Sequence, residues 1–119
     1  MEKKILVVDD HLDILNVVDR FLKANGFNVL AHSSGKDVIE VVKVFKPDLI
    51  LLDLQLDGKF STHICKTLKK TTHIPVVLFS AYLDLEKMFH ECDADAYISK
   101  PFDLEYLLNI ISEQLSIMA

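Results

Sequence analysis

Five short apolar runs recur along the chain, at residues 5–9 (ILVVD), 28–32 (NVLAH), 48–53 (DLILLD), 75–80 (PVVLFS) and 95–99 (DAYIS). The first, third and fourth are continuous rather than alternating. Strands covered on both faces read this way, so the pattern predicts a parallel sheet. The segments between the runs carry helical spacing instead. Ile14, Val18, Phe21 and Leu22 follow Asp13 at that spacing, and Asn25-Gly26 is a stop. Val38, Val41, Val42 and Phe45 predict a second helix, which Lys46-Pro47 ends. Ile64, Cys65 and Leu68 mark a third, and Leu85, Met88 and Phe89 a short fourth. Leu104, Leu107, Leu108, Ile111 and Leu115 form the longest stripe, with Asp103 placed as its N-cap. Strand and helix therefore alternate five times. With right-handed crossovers this makes a doubly wound α/β sandwich. Such sheets bind ligands beyond the carboxyl ends of their strands, where strand order reverses.

Composition narrows the reading. The 119 residues fit one domain (residues 1–119), and 50% hydrophobic with 26% charged residues is ordinary for a globular chain. Thirteen Lys and Arg against 18 Asp and Glu give a net charge of −5, with no basic run, which argues against direct nucleic-acid binding. No apolar stretch approaches the ~18 residues of a membrane span. The opening MEKKILVVDD has too short an apolar core for a signal peptide. Cys65 and Cys92 lie far apart in no metal or redox spacing. A reducing, cytoplasmic setting is expected from that usage.

The carboxyl ends of the predicted strands hold the candidate chemistry. The first ends in Asp9 and Asp10, the third in Asp53, the fourth in Ser80, and the fifth runs into Lys100-Pro101. Three carboxylates, a hydroxyl and an ammonium would then share one crevice. At ~4 Å and an effective dielectric near 20, each like-charged pair repels by about 4 kcal/mol. A hard divalent cation such as Mg²⁺ relieves this, and Lys100 adds further positive charge. A carboxylate beside Mg²⁺ and a lysine is also a plausible phosphoryl acceptor, and Asp53 is placed best for it.

In these residues the sequence resembles the receiver (response regulator) domains of two-component signalling. ILVVDDHLDIL (5–15), DLILLDLQL (48–56), IPVVLFSAY (74–82) and DAYISKPFDLEYLL (95–108) carry the resemblance, which spans residues 4 to about 115. It implies a flavodoxin-like, doubly wound five-stranded parallel sheet of order 2-1-3-4-5 with five helices. By the same resemblance Asp9, Asp10, Asp53 and the backbone carbonyl of Gln55 hold Mg²⁺, and Asp53 accepts a phosphoryl group. Lys100 pairs with the phosphoryl oxygens, and Ser80 and Tyr97 form the switch pair. Gln55 and Tyr82 stand where the family adjusts phosphoryl hydrolysis. The implied partners are a histidine kinase or histidine phosphotransfer protein and a downstream protein effector, with neither nucleic acid nor membrane contacted directly. The domain is expected not to be an enzyme beyond self-phosphorylation from small donors and autodephosphorylation.

The chain departs from the family pattern in several places, including the helix start after the acceptor strand, where the usual glycine lies earlier as Gly58 and Phe60-Ser61 stand in its place. Asp57 replaces the proline usual four residues after the acceptor, and with Gly58 it predicts a flexible turn bringing a fourth carboxylate near the site. Asp93 stands where a glycine is usual before the fifth strand. The 20 residues from Ser80 to Lys100 leave room for only a short fourth helix. The rebuilt loop after Asp53 also supports an alternative, a pseudo-receiver that uses the fold for protein interaction without being phosphorylated. A flavodoxin-like electron carrier is disfavoured because Asp10-His11-Leu12-Asp13 would repel a flavin phosphate. An aspartyl-nucleophile phosphatase is disfavoured because Gln55 replaces its usual second acid. The five histidines show no ligand spacing on one helix face, and KTLKK (66–70) reads as a solvated helix face.

Overall fold

The computed structural model of the chain describes residues 2–118, with side chains to residue 116; Met1 and Ala119 lie outside the described residues. In chain order the elements are β1 (Lys4–Val8), α1 (Leu12–Ala24), β2 (Asn28–His32), α2 (Val38–Phe45), β3 (Leu49–Asp53), β4 (Gln55–Leu56), β5 (Lys59–Phe60), α3 (Thr62–Thr71), β6 (Val76–Ser80), α4 (Leu85–Glu91), β7 (Ala96–Ser99) and α5 (Leu104–Met118). Strands β2, β1, β3, β6 and β7 form one sheet in that order. Every pairing in it is parallel. The five predicted strands and their 2-1-3-4-5 order are thus present, with two short extra strands interposed in the numbering.

The continuous apolar runs have a direct structural meaning. Successive strand residues face opposite sides of a sheet. Leu6, Val8, Ile50, Leu52 and Leu78 pack on one side against Val38, Val42, Leu68 and Leu85 of α2, α3 and α4. Ile5, Val7, Leu49, Leu51 and Phe79 pack on the other against Val18, Leu22, Leu107 and Ile111 of α1 and α5. Each face has its own helical layer, so neither phase of the strand can be polar. All five residues of β3 are buried.

Chain direction within this sandwich is enforced locally. Gly26 takes φ 90° just after α1, and Asp93 takes φ 57° just after α4. Left-handed residues at these positions end helices, and aspartate tolerates them better than most side chains. The Asp103 carboxylate accepts the Glu105 N–H at 3.3 Å, as an N-cap should. Helix α4 has seven residues, short as the spacing predicted.

Several expectations are corrected. Helix α1 begins at Leu12 after an N-cap at His11, so Asp13 lies inside its first turn. Asp48 and Asp95 precede their strands rather than starting them. Their carboxylates accept the backbone N–H groups of Lys4 and Val76, each at 2.8 Å, and so set the register of neighbouring strand starts. Residues 55–60 form a β-hairpin, not a flexible turn: β4 pairs with β5 antiparallel across Asp57-Gly58. Both turn residues have positive φ, 55° and 77°, which is the backbone a two-residue Asp-Gly hairpin demands. The cysteines, distant in sequence, meet in space. Cys65 of α3 donates to the Cys92 carbonyl at 3.5 Å, and both residues are buried. Hydrogen bonding with Cys92 and burial together push the Cys65 thiol far above its ordinary range. Among the described residues no helix is long and apolar enough to cross a membrane.

Candidate functional site

Parallel pairing of β1, β3 and β6 brings their carboxyl ends level, with Val8 opposite Leu52 and Asp53 opposite Phe79. Asp9 follows β1 and Asp53 ends β3, so their carboxylates rise side by side. Both are buried, Asp9 completely. Lys100, just beyond β7, reaches across and donates to Asp9 Oδ2 at 2.9 Å and to Asp53 Oδ2 at 3.2 Å. The Phe79 ring lies 4.6 Å from the Lys100 ammonium and supports it from the side with its π face.

The remaining oxygens are also engaged. Asp9 Oδ1 accepts the His11 N–H at 2.8 Å, and Asp53 Oδ1 accepts the Gln55 N–H at 3.1 Å. The latter bond fixes the Gln55 backbone beside the carboxylate. The buried Ser61 hydroxyl donates to the Asp53 carbonyl and ties the start of α3 to the end of β3. Asp10 is exposed, and its Oδ2 accepts the Asp57 N–H at 2.9 Å.

Burial dominates the electrostatics of Asp53. Its carboxyl is pushed up from 3.8 to about 6, because desolvation and the neighbouring Asp9 outweigh the Gln55 N–H and the Lys100 charge, which pull it down. Three carboxyl groups here face a single ammonium, an excess of acid over base that a cation can offset. Asp9, Asp10 and Asp53 each offer one carboxylate oxygen, and these oxygens lie within 4.8 Å of one another. An all-oxygen, net-anionic donor set of this size fits a hard divalent cation such as Mg²⁺.

Not every predicted residue joins this cluster. The Ser80 hydroxyl, at the end of β6, accepts the Tyr82 N–H at 3.1 Å, and the Ser80 carbonyl accepts the Lys100 N–H at 2.8 Å. Ser80 is therefore joined to the site through the backbone of Lys100. Tyr97 stands farther off, opposite Leu78 within the sheet, half-buried with its ring 5.0 Å from that of Phe89 on α4. The fourth carboxylate expected at the site is turned away from it: Asp57 Oδ2 accepts the Gly35 N–H at 2.9 Å. Sequence reasoning missed Phe79 and Ser61 altogether. A continuous apolar strand conceals which face Phe79 takes, and no local pattern marks a serine that bonds a carbonyl eight residues earlier.

Known proteins share this fold. A family model described as the response regulator receiver domain matches residues 5–112. Among solved structures, a CheY-like response regulator receiver domain protein from Methanospirillum hungatei JF-1 is 26% identical, with a TM-score of 0.89 over 98% of this chain and 95% of that one. The BeF₃-activated N-terminal receiver domain of Klebsiella pneumoniae RstA is 28% identical, with a TM-score of 0.88 over 95% and 98% of the two chains. The receiver domain of NtrX from Brucella abortus is 27% identical, with a TM-score of 0.85 over 94% and 98%.

Proposed function

Because the chain belongs to the response regulator receiver domain family, we propose that it is a phosphoryl-operated switch whose acceptor is Asp53. The donor is a phosphohistidine on a histidine kinase or histidine phosphotransfer protein. An Asp53 carboxylate oxygen forms the new O–P bond as the P–N bond of the donor breaks. The observation that carries this reading is the Lys100 ammonium held between Asp9 and Asp53 at the meeting point of β1, β3 and β7.

Each residue then has a defined task. Asp9, Asp10, Asp53 and the Gln55 carbonyl hold Mg²⁺, which neutralises the charge of the incoming phosphoryl group. Lys100 gives up its bond to Asp53 and pairs with a phosphoryl oxygen instead. Ser80 exchanges the Tyr82 N–H for a phosphoryl oxygen to which its hydroxyl donates. That movement alters the loop between β6 and α4, and the Tyr97 ring, packed on Phe89 of α4, turns with it. A downstream protein effector reads the altered α4 surface. The domain catalyses nothing beyond its own phosphorylation from small donors and its own dephosphorylation. It acts in the cytoplasm and contacts neither nucleic acid nor membrane itself.

Beryllofluoride, a phosphoryl mimic, tests the reading. In ¹⁵N-resolved NMR spectra, Mg²⁺ alone is expected to shift amides near Asp10 and Gln55. Adding beryllofluoride is expected to move Ser80, Tyr97, Lys100 and α4. Spectra that ignore both additions would favour the pseudo-receiver.

A further inference from the structure

We propose that Asp57 is a positioning residue for the Asp10 carboxylate, the exposed arm of the Mg²⁺ site. The inference rests on the reading of Asp10 as a metal ligand. Asp9 is completely buried and held by Lys100, whereas Asp10 is exposed and makes no ion pair among the described residues. An exposed carboxylate ordered only by the cation loses rotamer freedom on binding, and affinity falls accordingly.

Here the Asp57 N–H holds Asp10 Oδ2 at 2.9 Å, which orients the carboxylate before any cation arrives. That N–H is aimed by the left-handed turn residue, with φ 55°. A proline at this position has neither the donor nor the dihedral angle. The turn is itself anchored from the far side. Asp57 Oδ2 accepts the Gly35 N–H at 2.9 Å and the Ser34 hydroxyl at 3.2 Å, so the β2–α2 loop grips the tip of the hairpin. The approach is close: a Cβ added to Gly35 would stand 3.3 Å from Asp57 Oδ2.

The chain of bonds closes on the site. The Ser34 hydroxyl accepts the Lys36 N–H at 3.0 Å, and the Lys36 carbonyl lies 2.7 Å from His32 Nε2. The His32 carbonyl accepts the Asp9 N–H at 3.1 Å. A strap thus runs from Asp9 through the β2–α2 loop and the hairpin tip back to Asp10. Its middle link is the Asp57 carboxylate.

Two effects of Asp57 can be separated by experiment: its charge, which attracts any cation, and its hydrogen bonds, which fix the turn. Asp57→Asn removes the charge and keeps an acceptor for Gly35 and Ser34, at a φ that asparagine adopts readily. Asp57→Gly keeps the turn and the backbone N–H but cuts the strap. The probe is Mn²⁺, with binding read from loss of the free-ion electron paramagnetic resonance signal.

Wild type is expected to bind, Asp57→Asn to bind within about twofold of it, and Asp57→Gly to bind on the order of tenfold more weakly. Ser34→Ala, which leaves the hairpin sequence intact, is expected to bind a few-fold more weakly. Equal weakening by Asp57→Asn and Asp57→Gly would overturn the strap in favour of simple charge attraction. Unchanged affinity in both Asp57→Gly and Ser34→Ala would overturn it with the metal reading of Asp10 left standing. Absence of Mn²⁺ binding by wild type, or binding indifferent to Asp10→Ala, would overturn that reading and the strap together.

Discussion

Asp53→Asn is expected to abolish Mg²⁺-dependent phosphoryl transfer from acetyl phosphate, and at the same time to stabilise the metal-free protein. The first effect follows from removing the nucleophilic oxygen. The second follows from the environment of Asp53, whose carboxyl is raised from 3.8 in the unfolded chain to about 6 in the fold. The folded state therefore binds this proton more tightly than the unfolded state. The contribution of Asp53 to stability is fully present below about pH 4 and is lost as pH rises through about 6. Asparagine has no charge to desolvate and keeps an oxygen for the Gln55 N–H. Since a tenfold change in proton affinity is worth ~1.4 kcal/mol, the gain at pH 7.5 is roughly 1–3 kcal/mol, fading to nothing near pH 4. Urea unfolding in EDTA at both values measures it. A variant less stable than wild type at pH 7.5 would contradict the raised proton affinity of Asp53 in the fold.

Lys100→Ala is expected to act in the opposite direction and more strongly. Lys100 is the partner shared by Asp9 and Asp53, both almost withdrawn from water. Breaking a buried ion pair from one side leaves uncompensated charge and costs about 3–5 kcal/mol. Without the ammonium, which pulls the raised Asp53 carboxyl down, Asp53 holds its proton still more tightly, so the loss is largest at neutral pH and shrinks on acidification. Mg²⁺ restores part of the lost stability, because the three carboxylates remain. The variant also loses the structural response to phosphorylation while retaining Mg²⁺ binding. Denaturant titrations with and without Mg²⁺, at neutral and acid pH, report all of this. A cost below about 1 kcal/mol at neutral pH would mean that solvent screens the pair.

Some of this molecule is written plainly in its sequence. Runs such as LILLD at β3 are apolar in both phases, and only a sheet covered on both faces accommodates that. Once the sheet is parallel, Asp9, Asp53 and Lys100 must meet, because each stands at the same end of its strand. The acidic cluster is legible for this reason rather than from any single motif.

Other features depend on contacts that local pattern does not encode. The β4–β5 hairpin has two residues per strand, too few for any periodicity, although its Asp-Gly turn is a usable signal. Sequence position alone points the Asp57 carboxylate at the site. Only the fold reveals Ser34 and Gly35 on its other side, more than twenty residues earlier in the chain. Asp48 and Asp95 read as strand ends but bond to the backbone of neighbouring strands. The meeting of Cys65 with Cys92 likewise depends on how α3 and the end of α4 pack, which no spacing records.

Whether Asp53 accepts a phosphoryl group is read from the intact mass of the wild-type protein. After incubation with acetyl phosphate and Mg²⁺, the protein is expected to gain one phosphoryl group, mapped to Asp53 and absent when EDTA replaces Mg²⁺. An unchanged mass, or a phosphoryl group carried on any other residue, would contradict it.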